Sequence, residues 1–351
     1  MFARPPVPAA RPRGIARWLL AVAALVFLMV VIGGITRLTE SGLSMVRWEP
    51  ISGIVPPIGD SEWQAEFAHY QQSPEYQKVN RGMSLDAFKG IFFWEYLHRL
   101  LGRVIGIAFA VPLLVFWWRR AIPAGYGPRL LLLLALGGLQ GVIGWWMVAS
   151  GLIDRPDVSH LRLATHLSAA LLIFAFLIWT ALDMLALARD HDAKRGRLHR
   201  LPAVALALLS VQIVLGALTA GLDAGFAFAE WPTMGGQLFP AGVPLLEPFW
   251  RNLIDQPIVV QFVHRWFAWI AAAGVVALGI AAGRCGAKGL GHAAMTLVAV
   301  QIALGIATLL SGVRIEVAVA HQAVAVLLLG TLVAAAHRLG AERGADRRAT
   351  A

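Results

Sequence analysis

Residues 91–118 read IFFWEYLHRLLGRVIGIAFAVPLLVFWW. A helix needs about 20 mostly apolar residues to cross the hydrocarbon core of a bilayer, and this run is long enough. Near its start it carries Glu95, His98 and Arg99. Ionisable groups inside a membrane-length run are costly to hold there and mark a functional site. Seven further runs of the same character lie at 16–36, 129–149, 161–188, 201–222, 257–282, 289–312 and 316–337. The chain therefore reads as an all-α integral membrane protein with eight transmembrane helices.

Composition supports this reading. Of 351 residues, 58% are hydrophobic and 14% charged, against about 25% charged in a soluble domain. The net charge of +10 would suggest nucleic acid in a soluble protein, but its placement excludes that. The N-terminus (Arg4, Arg11, Arg13, Arg17), the stretches 119–129, 189–200 and 283–289, and the C-terminal tail hold 18 of the 30 Lys and Arg residues. These are alternate exposed stretches, and the opposite side holds 15 of the 20 Asp and Glu residues. The positive-inside rule then puts both termini in the cytoplasm; the location expected is the cell's inner (plasma) membrane. The first run is too long for a signal peptide and lacks a small-residue cleavage site, so it reads as a retained helix. Cys285 is the only cysteine and falls in a cytoplasmic turn, which excludes an intramolecular disulfide.

The chain repeats itself. Residues 33–36 (GGIT), leading to Gly42, match 216–219 (GALT), leading to Gly225, and Trp48 stands opposite Trp231. Leu97, His98 and Arg99 match Val263, His264 and Arg265. Gln140, Gly144, Ser150 and Gly151 match Gln301, Gly305, Ser311 and Gly312 without a gap, and His166 answers His321. The implied architecture is two tandem four-helix bundles, 1–188 and 201–351, related by a pseudo-twofold axis along the membrane normal. The cytoplasmic linker 189–200 joins them. In the outer stretch 37–90, Ser61 to Gln64 forms a capping-box pattern, followed by Trp63, Phe67 and Tyr70 at helical spacing. A short amphipathic helix over the bundle mouth is expected there.

Four of the ten histidines lie within apolar runs, five to eight residues from the start: His98, His166, His264 and His321. They fall at one level toward the outer face, two per bundle. Imidazoles on facing helices can ligate a haem iron from both sides. A lone intramembrane histidine is as easily a core residue bonded to a neighbour, but four in repeated pairs favour ligation. His69, His160, His191, His199, His292 and His337 are at ends or loops and read as solvated. Arg99 and Arg265 follow their histidines and Arg162 precedes His166 by a turn. All three are candidates for gripping haem propionates, with snorkelling to headgroups as the alternative. Glu95 shares a helix face with His98, whereas its counterpart Gln261 is not acidic. A carboxylate there suits proton transfer, or else pairs with Arg99. Gln140 and Gln301 read as structural bonds across helices.

Residues 33–45 (GGITRLTESGLSM), 94–99 (WEYLHR) with Gly102 and Arg103, 221–225 (GLDAG) and the Trp231–Pro232 pair resemble the motifs of the haem A synthase family. The form is that of its proteobacterial and mitochondrial branch, without the outer-loop cysteine pair, and the resemblance runs from about residue 16 to 338. It implies an oxidoreductase that converts the C8 methyl group of haem O to a formyl group by successive hydroxylations. It also implies haem B held by His264 and His321 as electron exit, and His98 and His166 as axial ligands of the substrate haem, with Glu95 as the essential acidic residue of catalysis. A haem O synthase and cytochrome oxidase assembly factors are the implied partners, and a homo-oligomer is open.

The alternative is a di-haem b-type membrane electron-transfer protein. Such proteins stack two ligands about 14 residues apart on one helix; here position 112, 14 beyond His98, is proline. A transporter would more often carry inverted, interrupted repeats.

Overall fold

The computed structural model describes residues 10–47, 52–153 and 155–349, with 52 and 341–349 as backbone only. Arg4 and Trp48 lie outside the described residues. The eight spans form as expected: α1 (Pro12–Leu38), α4 (Leu85–Trp118), α5 (Gly127–Ala149), α6 (His160–Arg189), α7 (Arg200–Gly221), α9 (Pro257–Arg284), α10 (Lys288–Leu310) and α11 (Ile315–Ala349). Each is long and apolar enough to cross a membrane, and the protein is a multi-pass membrane protein. Shorter helices α2 (Asp60–Tyr70), α3 (Pro74–Lys78) and α8 (Asn252–Asp255) lie in the two long loops at one end, the mouth of the bundle.

Helix starts follow local chemistry. Ser84 Oγ accepts from the Ala87 amide, and Gln256 Oε1 accepts from Ile258 ahead of Pro257. The Ser84 cap starts α4 six residues earlier than the apolar run suggests, so His98 lies thirteen residues into its helix. In α2 the expected capping box is replaced by one shifted toward the N-terminus. Gly59 is the N-cap, and Glu62 reaches back to accept from the Ile58 amide at 2.8 Å. The expected helix is present, and it packs on the start of α4 through Trp63, Phe67 and Tyr70 against Phe88 and Phe92.

One hydrophobic core runs through both halves of the chain. Ile15, Leu19, Val22 and Val26 of α1, Leu171, Phe174 and Leu177 of α6, and Leu328, Leu332 and Val333 of α11 all belong to it. α1 packs along α4, α6 and α11; α6 also meets α7; α9 packs along both α7 and α10. α4 and α5 are peripheral and barely touch each other.

Polar knots fasten this core at both ends. Away from the mouth, buried Asp183 of α6 accepts from Arg129 (2.6 Å) and the Gly196 amide (2.8 Å), and pairs with His337 of α11 at 2.8 Å. The 190–199 linker is thereby tied to α5, α6 and α11. At the mouth, His160 pairs with Asp255 (3.0 Å) and Arg37 with Asp223 (2.9 Å) across the two halves. His160 and His337 are therefore buried bonding partners and not solvated, as their places near helix ends suggested, while His69, His191 and His292 are exposed.

Candidate functional site

The four intramembrane histidines come together in two pairs. His98 of α4 is within electrostatic reach of His166 of α6, and His264 of α9 of His321 of α11. All four rings are half-buried. Among the described residues no three His, Cys, Asp or Glu side chains gather as a metal cage would need. An axial haem site requires only two donors, one from each side.

Each ring lies against a glycine of the preceding span. A Cβ added at Gly144, Gly216 or Gly305 would stand 2.9, 3.0 or 2.9 Å from Cε1 of His166, His264 or His321. At Gly33 it would stand 3.3 Å from Nε2 of His98. Any side chain there would push the imidazole away, so the glycines are cradles for the rings.

One turn before three of these glycines stands a glutamine. Gln140 Nε2 donates to the His166 carbonyl at 2.9 Å and lies 3.1 Å from Nδ1 of its ring. Gln212 repeats this at His264, at 3.0 and 3.1 Å. Gln301 Nε2 lies 3.4 Å from Nε2 of His321. The expected cross-helix bonds of Gln140 and Gln301 thus land on the histidines themselves. Gln212 escaped the sequence reading, although the recurrence of Gln, three residues, Gly on three spans was there to be found. The Oε1 atoms of all three glutamines are buried without a partner among the described residues.

Glu95 is buried and fully engaged. Its Oε2 accepts from Ser44 Oγ and the Met45 amide, both at 2.7 Å, and its Oε1 from Arg99 Nε (3.1 Å) and Nη2 (2.5 Å). Arg99 goes on to the Met45 and Arg47 carbonyls. The ion pair with Arg99 foreseen as an alternative is present, and it pins the 41–47 loop onto α4. In the second half, Gln261 donates to the Phe228 carbonyl (3.1 Å), while Arg265 donates to the carbonyls of Phe228, Glu230 and Thr233 at 2.9–3.0 Å. Arg162 donates to the Trp146 carbonyl at 2.7 Å and covers the Trp146 ring. All three arginines expected at propionates thus hold protein groups. Two buried donors that follow His264 in the sequence, Arg265 Nε and Trp266 Nε1, have no partner among the described residues.

Outside the spans, one further acid among the described residues is buried. Burial pushes the Glu75 carboxyl up to about 8; its bond with Tyr70 works against this, while Glu95, Glu40 and Asp157 add to it.

The profile of the family described as "Cytochrome oxidase assembly protein", COX15-CtaA, matches residues 16–333. Among curated proteins, "Heme A synthase" of Rhizorhabdus wittichii is 59% identical over 339 residues, covering 97% of this chain and 98% of its own. "Heme A synthase" of Sphingopyxis alaskensis is 52% identical over 332 residues (95% and 94%), and that of Rhodospirillum centenum 50% over 341 residues (96% and 91%).

Proposed function

This chain belongs to the COX15-CtaA family of haem A synthases, and from that premise we propose that its two histidine pairs divide substrate from cofactor. Homology makes it an oxidoreductase acting on haem O in the synthesis of haem A. The proposed reaction takes the C8 methyl group to a formyl group by successive hydroxylations. The observation that carries the reading is the set of four half-buried imidazoles, in pairs, each cradled by a glycine.

His264 and His321 would hold haem B, whose iron supplies a route for electrons leaving the substrate side. The fit rests on orphaned polar atoms: Arg265 Nε and Trp266 Nε1, next in sequence to His264, offer buried N–H groups to a propionate. His98 and His166 would ligate the substrate haem iron. Their half is the one that carries a carboxylate one turn before its histidine, and its helices α4 and α5 meet less extensively than α9 and α10 do. Glu95 stands one turn from His98 on the same face. It can take or give a proton only as its bonds to Ser44 or Arg99 yield. The arginines act by fastening the mouth loops, Arg99 to 45–47 and Arg265 to 228–233.

The assignment includes the topology: two four-helix halves, 1–188 and 201–351, related by a pseudo-twofold axis along the membrane normal, with both termini cytoplasmic and the histidines toward the outer face. A donor of haem O docking at the membrane fits a hydrophobic substrate. The test is chromatography of haems extracted from the purified protein after co-expression with an enzyme that makes haem O. Haem B together with haem O, haem A or a hydroxylated intermediate is expected. Haem B alone would indicate electron transfer without modification, and no haem would remove the ligand assignment.

A further inference from the structure

The histidine units are built four times, but only three carry the glutamine. In the register where Gln140, Gln212 and Gln301 precede their glycines by one turn, α1 has Met29 before Gly33. The Met29 side chain fills the space between α1 and α4, its Cε 3.5 Å from a Cβ placed on Gly102, one turn beyond His98. The ring of His98 also sits differently. It turns Nε2 toward its glycine where the other three turn Cε1.

We propose that Gln140 and Gln212 are positioning residues that fix the orientation and proton placement of the His166 and His264 imidazoles, and that Met29 leaves His98 without such a partner. This rests on the reading of the four histidines as haem ligands. A ligating imidazole that binds iron through Nε2 keeps its proton on Nδ1 and passes it to an acceptor, which fixes the ring and raises its basicity. The Gln amide already sits at Nδ1 of His166 and His264, and its buried Oε1 has no other partner among the described residues. Turning the amide over presents that oxygen to an Nδ1–H at the expense of the bond from Nε2 to the histidine carbonyl. A thioether is only a weak acceptor, so Met29 cannot do the same for His98. Each pair then has one ligand held at Nδ1, His166 or His264, and one that is not: Gln301 reaches Nε2 of His321, whose Nδ1 has no partner among the described residues.

The test uses the purified full chain with its haems. In the second half, Gln212→Leu removes the acceptor and Gln212→Glu strengthens it. The haem B potential is expected to move up with Leu and down with Glu, because a better acceptor makes the imidazole a stronger donor to ferric iron. Leu is also expected to weaken haem retention about tenfold. A residue that merely fills space would move the potential in one direction for both variants, or not at all, and either result overturns the proposal. In the first half, Met29→Gln is expected to reduce carbon monoxide binding to the reduced substrate-site haem, and Gln140→Leu to increase it. Unchanged carbon monoxide binding in Met29→Gln overturns the assignment of His98. If the unaltered chain carries no haem, the functional reading itself has failed, an outcome distinct from either.

Discussion

The two halves close to different degrees, and four residues account for it. α9 and α10 meet through Gly279 and Gly291: a Cβ on Gly291 would stand 2.5 Å from the Gly279 carbonyl oxygen. Small residues let membrane helices approach backbone to backbone. In the same register, α4 and α5 carry Leu113 and Leu130, both buried, and those helices stay apart. Glu95 and Gln261 differ in the same spirit. Both sit one turn before a histidine and both hold the adjacent mouth loop, one as an ion-paired carboxylate and the other as a neutral amide. At these matched positions the first half carries an acid and the second a neutral amide, and α9 and α10 pack on each other more extensively than α4 and α5.

The largest effect should come from the ligands. His264→Ala or His321→Ala is expected to abolish retention of haem B, read as haem per protein after purification. His98→Ala and His166→Ala should leave haem B in place and abolish conversion of haem O. Equal loss of haem B from all four variants would break the division between the halves.

Glu95→Gln makes the first half resemble the second at that position. Glu95 is 2% exposed, and losing one charged partner in such a buried set costs about 2 kcal/mol. Thermal unfolding should register that cost while haem B remains. Haem A output should fall to background with haem O accumulating. Undiminished haem A would show that Glu95 serves only to fasten the 41–47 loop.

The eight spans and the four histidines were legible because bilayer crossing imposes long apolar runs, against which an embedded histidine stands out. Boundaries moved where a polar residue made a cap: Ser84 extended α4, and Gly59 with Glu62 displaced the cap expected at Ser61. His160 and His337 looked solvated because position near a helix end says nothing about a partner on another helix, here Asp255 and Asp183. The glycine cradles and Gln212 depend on which faces meet. Apolar spans carry almost no amphipathic signal to reveal that.

The cap over the first half sharpens the contrast through pH. Glu75 is buried, and its carboxyl is pushed up from 4.5 to about 8. A carboxyl whose folded value is raised holds its proton in the folded state and loses it on opening. Between 4.5 and about 8 the open state therefore binds fewer protons, and stability of the cap falls as pH rises, by at most about tenfold in population per unit. Tyr70, Glu40, Glu95 and Asp157 face this group, and all but Tyr70 would repel its anion. Hydrogen exchange of 60–80 should speed up with pH in excess of the chemical rate, and Glu75→Gln should flatten that excess. The mouth loop of the second half should show no such excess, and finding one would remove the contrast.

The smallest effect is expected where the halves touch at the mouth. Asp223 lies in the left-handed region, φ +50°, and pairs with Arg37 across the two halves. Asparagine tolerates that conformation, so Asp223→Asn removes the charge and keeps the turn, and Arg37 retains the Ala220 carbonyl at 3.1 Å. Side-chain exposures of 20% and 53% mean that water and salt screen the pair. Its loss should cost no more than about 1 kcal/mol, and less at high salt. A double-mutant cycle with Arg37→Gln measures the coupling directly. Coupling well above 1 kcal/mol, or a change in haem B retention on Asp223→Asn, would mean that the mouth transmits between the halves, and the two sites could not be treated as separately tuned. A value near zero leaves the shared core of α1, α6, α7 and α11 as the structure that holds them together.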